Sequence, residues 1–514
     1  MLLPTKACYA PGEPVAIELP AAPAARAIEV ERLGVRVATV TVPAGADHVD
    51  LGPLPVGGYG VRLRDGAGHT AVEVLADPFA RLRYGFVASY APGRDIDGVL
   101  RLARRLHLTA VQFYDWAYRH ADLVGPDEYA DPLGQPVSLA TVRALAAGLA
   151  SVGTAPIGYA AVYGVGKDEW PAWEHAALLR ADGTVHDLAG FLSIVDPADP
   201  AWLAHFRADL RKAVERVGLA GFHLDQYGFP RRAVRPDGRV VDLAEAFHTM
   251  ICEVREELPD ARLIFNNVND FPVWRTTRSP QDATYTEVWE PHEALDDVAA
   301  VAVRARTLAP SRPAVLAAYQ TVFDRLPAAD AELTTKLTMA TLFSHGATQL
   351  LAGEDGHVLV DPYYVRNHPA APSTVDMLAD WYDLLVAAGD VLFDPGNADI
   401  TRSVVGGLNG EIDVEAPEEV WRRVVATPHG TVVHLINLVG QADLGWDTAK
   451  AHVTPVDRLT VRFRRVGAAT PTVRVADPDR GPFFVDVPAR VDGEYVIADL
   501  PTLGVWQIVL LGDS

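Results

Sequence analysis

The chain has 514 residues, which is more than one compact core usually holds, so two or three domains are expected. Hydrophobic residues make up 49% and charged residues 22%, an ordinary composition for a globular protein. The 45 Lys and Arg residues against 67 Asp and Glu residues give a net charge of −22. Such a surface repels nucleic acid phosphates and anionic membranes, so neither is expected as a partner and a neutral or cationic ligand is favoured.

Cysteine content and the amino-terminal sequence further restrict the class of protein. Cys8 and Cys252 lie far apart and lack metal-ligand spacing, which excludes a disulfide framework and argues against a zinc site. We expect no metal and no other cofactor. No apolar run reaches the roughly 18 residues of a transmembrane helix. The first 20 residues lack the basic and apolar regions of a signal peptide, which predicts a cytoplasmic protein, or a secreted one whose leader has been removed.

Residues 1–83 predict a small N-terminal β-sandwich of the immunoglobulin-like kind. Short strand-like stretches, such as "PVAIELP" and "GGYGVRLRD", alternate there with Gly and Pro turns. Sandwich families cannot be told apart at this level.

Residues 84–392 alternate apolar strands with amphipathic helices and predict an α/β domain, a (β/α)8 TIM barrel. The eight strand candidates are 84–90, 108–116, 156–164, 221–228, 262–269, 284–290, 313–320 and 348–355. A doubly wound open sheet is the alternative, but it would need a Gly-rich phosphate-binding turn after its first strand, and "SYAPGRD" has one Gly. Residues 393–514 return to strands and turns and predict a C-terminal antiparallel β-sandwich domain.

The residues at the carboxyl ends of the predicted strands are the candidate site, because active sites of such barrels lie there. Acids, amides and aromatic rings dominate: Asp115, Trp116, Tyr159, Tyr163, Asp225, Gln226, Asn266, Asn267, Glu287, Trp289, Tyr319 and Glu354. Hydrogen-bonding acids and amides beside aromatic rings suit an uncharged, polyhydroxylated ligand. The pattern predicts an oligosaccharide or polysaccharide substrate.

Two acids, on strands four and six, have the placement that glycosidic cleavage needs. One carboxylate must attack or stabilise the anomeric carbon while the other protonates the leaving oxygen. Asp225 ends an apolar strand beside Gln226 and Tyr227, polar neighbours that are expected to hold it as an anion. Glu287 lies among rings that are expected to raise its pKa and keep it protonated. The alternative is that each acid makes only structural bonds.

The motifs at these strand ends resemble those of a known enzyme family. "VQFYDWAYRH", "GFHLDQYG", "YTEVWE" and "LLAGED", together with "CYAPGEPV" and "DWYDLLVAAGDVLF", are similar to glycoside hydrolase family 66, the dextranases and cycloisomaltooligosaccharide glucanotransferases. The resemblance covers nearly the whole chain. It implies Asp225 as nucleophile and Glu287 as acid/base in a retaining mechanism, acting on α-1,6-glucosidic linkages of dextran or isomaltooligosaccharides.

Two departures from the family pattern bear on the substrate. Family members are mostly secreted, and the absent export signal favours short imported oligosaccharides over a polymer. Cyclising members carry a carbohydrate-binding module inserted in the barrel, and no such β-rich insert is visible among residues 84–392, which argues against cyclisation.

The remaining candidates are open to two interpretations each. Asp115 with Trp116 is expected to bind sugar hydroxyls, or Asp115 pairs with Arg119. Asn266 and Asn267 are expected either to position Glu287 or a sugar hydroxyl, or to form hydrogen bonds to loop backbone. The rings predicted to stack on sugar faces or to serve as packing are Tyr159, Tyr163, Tyr319 and Trp289. Glu354 and Gln226 are expected to bind sugar or orient neighbours.

Other functional classes are less well supported. A catalytically silent sugar-binding protein would lack one of the paired carboxylates. A lyase or aldolase would need a strand-end lysine, whereas Lys167 lies in a predicted loop and Lys336 on a predicted helix. A cyclising transglucosylase of the same family remains the alternative.

Overall fold

The computed structural model describes residues 1–404, 411–464 and 471–512. Two antiparallel sheets form its amino-terminal part. Their strands are Leu3–Pro4, Pro14–Glu18 and His48–Pro53 in one sheet, and Arg26–Arg32, Val35–Val42, Gly57–Leu63 and His69–Val74 in the other. Alternate residues such as Ile17, Val30 and Val61 are buried in one core between the sheets. The immunoglobulin-like assignment stays a prediction.

Eight parallel strands follow and form one curled sheet, which confirms the α/β class. They are Tyr84–Val87, Ala110–Phe113, Ala155–Ala161, Gly221–Asp225, Arg262–Asn266, Ala283–Glu287, Ala314–Ala317 and, in two segments, Ala347–Gln349 and Ala352–Gly353. We refer to them as strands one to eight. The first segment of strand eight pairs with strand seven and the second pairs with strand one, as a closed barrel requires.

Strand eight can pair with strand one because the two backbones approach each other closely. A Cβ at Gly353 would lie 2.2 Å from the carbonyl oxygen of Phe86, so only glycine fits there. The two short antiparallel segments His357–Val358 and His368–Pro369 extend the same sheet to eleven strand segments, of which strand eight contributes two.

Helices cover the outside of this sheet. The longer ones are Ile96–Arg105, Leu139–Ser151, Pro200–Val217, Leu243–Glu257, Leu295–Leu308, Ala328–Ser344 and Pro372–Ala387, and the short ones are Val273–Thr276, Val322–Arg325 and Gly389–Leu392. Strand residues alternate between two cores: Phe222 and Leu224 face the helices, whereas Tyr84, Ile157 and Ile264 fill the interior.

The strands end two or three residues before the predicted carboxyl boundaries. Strand four ends at Asp225 and strand seven at Ala317, so "QYG" and "AYQ" lie just beyond the strands. Short antiparallel segments that the sequence did not reveal occupy the loops after these strands. Glu128–Ala130 pairs with Pro136–Ser138, and Arg232–Val234 pairs with Val240–Asp242. Leu192–Ile194 pairs with both Gly164–Gly166 and Asp187–Leu188.

The carboxyl-terminal part consists of two antiparallel sheets around a separate core. One sheet holds Ala398–Asp399, Val420–Thr427, Gly430–Asn437, Trp506–Gly512, Thr472–Ala476 and Val485–Val487, and the other holds Ile412–Glu415, Thr460–Arg464, Tyr495–Asp499 and Ala489–Asp492. Over the three described ranges, no helix is both long and apolar enough to cross a membrane.

Candidate active site

A cavity of about 670 Å³ opens at the carboxyl ends of the parallel strands. Asp225, Asn266 and Glu287 are the final residues of strands four, five and six, and all three line it. Because neighbouring strands are parallel and paired in register, their last residues meet at one edge of the sheet. The fold therefore places two carboxylates and one amide next to one another.

Asn266 joins the two carboxylates. Its Nδ2 donates to Oδ1 of Asp225 at 2.7 Å and to Oε2 of Glu287 at 2.9 Å. The two oxygens can therefore be no further apart than the sum of these bonds. Both hydrogens of the amide are used, so the side chain of Asn266 sets the spacing of the acid pair.

A tyrosine holds the other oxygen of each carboxylate. The hydroxyl of Tyr159 donates to Oδ2 of Asp225 at 2.8 Å, and that of Tyr319 donates to Oε1 of Glu287 at 2.7 Å. Each carboxylate thus receives one phenol and one amide hydrogen bond. This arrangement fixes both groups before any ligand enters.

The pKa values of both acids are raised. Burial raises the pKa of Asp225 to about 7, the negative charge of Glu287 adds to the rise, and the bonds from Asn266 and Tyr159 oppose it. Burial also raises the pKa of Glu287, against the bonds from Tyr319 and Asn266. Because ionising one acid disfavours ionising its neighbour, the second proton leaves the pair at higher pH than it would leave a free carboxyl group.

Gln226 and Tyr227 were predicted to keep Asp225 anionic. The backbone N–H of Gln226 does lower the pKa of Asp225, but its side-chain amide donates to the carbonyl oxygens of Asn266 and Phe271, at 3.0 and 3.1 Å. Gln226 lines the cavity but is buried, and its side chain holds the turn after strand four. Desolvation and the charge of Glu287 outweigh the hydrogen bonds that Asp225 receives.

Asp115 brings a third acid into the cavity. It follows strand two with a left-handed φ of 45°, a conformation that turns its side chain away from the strand's alternation. Burial raises its pKa to about 8, and the charges of Asp131 and Asp225 add to the rise. Arg119, the ion-pair partner considered for it, instead donates to the carbonyl oxygens of Tyr118 and Ala130.

Aromatic rings form much of the cavity wall. Tyr114 and Tyr364 stack at a centroid distance of 4.1 Å, and Trp289 lies tilted against Tyr319 at 5.4 Å. Trp289 is 39% exposed, so its ring is accessible to a ligand. Rings of this kind present apolar faces on which sugar rings can stack.

Four predicted substrate-binding residues do not line this cavity. Trp116 is fully buried and donates from Nε1 to the carbonyl oxygen of Tyr159 at 3.1 Å. Tyr163 is also fully buried, and its hydroxyl donates to the carbonyl oxygen of Phe229 at 2.6 Å. For both rings, packing is the role that the structure supports.

Asn267 and Glu354 have structural partners as well. Asn267 donates to the carbonyl oxygen of Tyr285 at 2.8 Å and accepts from Thr276 at 2.6 Å. Glu354 forms an ion pair with Arg94 and accepts from the backbone N–H of Ala88 at 2.6 Å, in a separate depression. Glu354 also has a left-handed φ, of 54°, which explains why the strand pattern misplaced it.

Sequence reasoning missed the parts of the wall that come from long loops. The residues concerned are Leu133, Leu188, Phe191, Leu192, Phe229, Arg231, Pro362, Tyr363 and Tyr364. The aromatic pair in "DPYY" was the one signal available, but it lies beyond strand eight, where no strand end drew attention to it.

A potential metal-ligand group lies elsewhere in the molecule. Ligand atoms of His69, Asp380 and Asp383 are within 4.8 Å of one another. Asp383 already accepts from Nε2 of His107 at 2.7 Å and from the backbone of Ala71 at 3.0 Å, and His69 binds Asp380 at 3.1 Å. None of these residues lines the cavity, so they have no part in its chemistry.

Comparison with known proteins assigns the chain to a family. The model of the family described as "Glycosyl hydrolase family 66" matches residues 57–510. Two curated proteins from Niallia circulans, each named cycloisomaltooligosaccharide glucanotransferase, are 23% identical over 60% of this chain and 20% identical over 87% of it. The chain spans 34% and 64% of their lengths.

Solved structures share the fold. The cycloisomaltooligosaccharide glucanotransferase of Paenibacillus sp., in complex with cycloisomaltoheptaose, superposes with a TM-score of 0.89 at 18% identity, covering 99% of both chains. The α-amylase of Geobacillus thermoleovorans, in complex with acarbose, gives 0.54 at 11% identity over 85% of this chain and 99% of its own. The family resemblance predicted from the strand-end motifs is confirmed.

Proposed function

The chain belongs to glycosyl hydrolase family 66, and from this premise we propose that it is a retaining glycoside hydrolase that cleaves α-1,6-glucosidic linkages of dextran or isomaltooligosaccharides. Family membership makes it a glycoside-active enzyme. The linkage and the hydrolytic outcome are proposals, supported by the names of its relatives and by a cavity lined by aromatic rings and hydrogen-bonding acids and amides.

The observation that carries the retaining mechanism is the single amide shared by the two acids. Because Nδ2 of Asn266 bonds to both carboxylates, at 2.7 and 2.9 Å, the pair is close. Retaining enzymes hold their carboxyl groups about 5–5.5 Å apart, and inverting enzymes about 6.5–9.5 Å apart to admit a water molecule. The shorter spacing leaves Asp225 to attack the sugar directly.

The reaction follows from these positions. A carboxylate oxygen of Asp225 attacks the anomeric carbon while the carboxyl group of Glu287 gives its proton to the departing glycosidic oxygen. The glycosyl ester on Asp225 is then attacked by water, whose proton returns to Glu287. Tyr159 and Tyr319 keep the two groups aligned throughout.

A cyclising transglucosylase is the second candidate, and a specific observation favours it. The similar structure from Paenibacillus sp. was solved with cycloisomaltoheptaose. The first half-reaction would be the same, but the far hydroxyl of the bound glucan would replace water in the second. The nature of the acceptor therefore separates the two candidates.

Product analysis decides among these proposals. We expect linear short products from dextran and isomaltotriose, no cleavage of starch, and little cyclic material. Proton NMR of the first-formed sugar should show the α-anomer before mutarotation. The β-anomer first would refute retention, predominant cyclic products would favour the transglucosylase, and failure to cleave any α-1,6-linked substrate would refute the linkage.

A further inference from the structure

A second polar cavity, of about 250 Å³, lies at the opposite end of the barrel from the active site. Its wall comes from the carboxyl end of helix Leu295–Leu308, from the turn Ser344–Gly346 that precedes strand eight, and from the paired strands Val420–Thr427 and Gly430–Asn437. The cavity therefore joins the barrel to the carboxyl-terminal sheets. Nothing in the proposed glycosidase reaction uses it.

Two arginine side chains enter this cavity. Arg306 donates to the carbonyl oxygens of Arg312 and Asp394 at 3.3 and 3.1 Å, and no carboxylate among the described residues forms an ion pair with it. Arg423 donates from Nε to Asp399 at 3.0 Å and also to the carbonyl oxygen of Ser344, with its side chain 14% exposed. The guanidinium groups keep further N–H donors for a ligand.

A buried histidine on the wall has an unused nitrogen. His434 is 2% exposed and lies directly opposite Arg423 in the antiparallel pair. In the part of the chain that the structure describes, its Nδ1 has no hydrogen-bond partner. A buried polar atom without a partner is costly, so a ligand that accepts or donates a hydrogen bond there would be stabilised.

The charges around the cavity are unbalanced. Asp399 is the one carboxylate on the described wall, and it faces two arginines. Burial lowers the pKa of Arg306, the charge of the nearby Asp394 opposes this shift, and the charge of Arg423 adds to it. Burial also lowers the pKa of His345 to about 4, again with a contribution from Arg423. The two guanidinium groups repel one another, and an anion between them would relieve this repulsion.

We propose that this cavity binds a phosphate group between Arg306, Arg423 and His434. Planar guanidinium groups form paired hydrogen bonds with phosphate oxygens, and His434 supplies a further donor. Free orthophosphate and the phosphate of a phosphorylated sugar share this chemistry.

Thermal unfolding and calorimetric titration test the proposal on the whole chain, with orthophosphate and glucose 6-phosphate as separate probes. Arg306→Gln and Arg423→Gln remove the two cations, so either variant suffices if the other fails to fold. Arg422→Gln is the matched control, because adjacent strand residues face opposite sides and Arg422 donates to the carbonyl oxygens of Ala416 and Pro417. Sodium chloride at equal ionic strength controls for screening.

We expect either probe to raise the Tm of the natural protein and of Arg422→Gln by ~2 °C or more above chloride, with a measurable heat of binding. Both cavity variants should lose this increment. Response to one probe alone identifies the source of the phosphate. An equal increment in all four proteins would reflect the general stabilisation by phosphate salts, and it would overturn the proposal. Absence of binding heat with both probes would overturn it as well.

Discussion

At the residue scale, Asp225 must be ionised to attack, although burial raises its pKa to about 7. Asp225→Asn removes the nucleophile while keeping its size and its bond to Tyr159, so turnover should fall by several orders of magnitude with the fold preserved. Azide should restore part of the activity of Asp225→Ala, because a small anion can occupy the vacated position. Turnover close to the natural value in purified Asp225→Asn would contradict the assignment.

Glu287 supplies a proton, and that role can be separated from binding. A general acid matters most when the leaving group is poor, so Glu287→Gln should lose far more activity on isomaltotriose than on an activated aryl glycoside. Glu290→Gln, three residues further along and exposed, is the matched control and should behave like the natural enzyme. Equal losses on both substrates would show that Glu287 is not the proton donor.

The tyrosine pair allows a test by pH. The hydroxyl of Tyr319 lowers the pKa of Glu287, so Tyr319→Phe should raise that pKa and keep the acid form present to higher pH. In the pH profile of kcat/KM on isomaltotriose, the basic limb should move up by about one pH unit. A hydrogen bond to a charged group is worth ~1.5 kcal/mol or more, which corresponds to about one pKa unit.

Two controls make this shift specific. Tyr159→Phe acts on Asp225 and should move the acidic limb up instead, because the nucleophile must lose its proton. Tyr363→Phe changes another tyrosine on the same cavity wall and should leave both limbs in place. If Tyr319→Phe alters only kcat, with both limbs unmoved, its hydroxyl does not tune Glu287.

At the element scale, a cluster of buried ion pairs connects two of the loops that form the cavity. Arg235, in the loop after strand four, bonds to Asp196 at 3.0 Å and to Asp199 at 2.6 Å, and its side chain is 8% exposed. Asp199 also caps helix Pro200–Val217. Arg235→Ala would leave two buried carboxylates without their cation, which costs about 3 kcal/mol.

We expect this variant to unfold at lower urea concentration and to show a higher KM, because Phe191 and Phe229 lie in the loops that it releases. Arg239→Ala is the control: its side chain is 57% exposed and lies 3.6 Å from Asp196, so the change should cost less than about 1 kcal/mol. Equal stability of the two variants would show that the cluster does not hold the loops.

The elements also show how far sequence could predict this site. Asp225, Asn266 and Glu287 were predictable because each ends a strand, and parallel strand ends must meet. Trp116 and Glu354 were misplaced because Asp115 and Glu354 adopt positive φ, which breaks the alternation just beyond the strand. Tyr363 and Tyr364 reach the cavity through loop packing, which local periodicity does not encode.

At the scale of the whole molecule, charged side chains tie the amino-terminal sheets to the barrel. Glu73, on strand His69–Val74, pairs with Arg81 at 2.8 Å and with Arg83 at 2.7 Å, just before strand one. Arg81 also pairs with Asp390, which in turn binds Arg32 of the amino-terminal sheet. Glu73 and Arg83 are almost completely buried, so neither can regain water if the other is lost.

Glu73→Gln should therefore lower the free energy of unfolding by about 3–5 kcal/mol, because it leaves Arg83 buried without a counter-charge. Glu18→Gln, at a half-exposed carboxylate paired with Arg104 at 2.7 Å, should cost less than about 1 kcal/mol. Because the cluster spans both parts, hydrogen-exchange protection of strand Gly57–Leu63 and activity should be lost together in urea. Activity that outlasts this protection would mean that the amino-terminal sheets unfold independently and that the barrel does not depend on them.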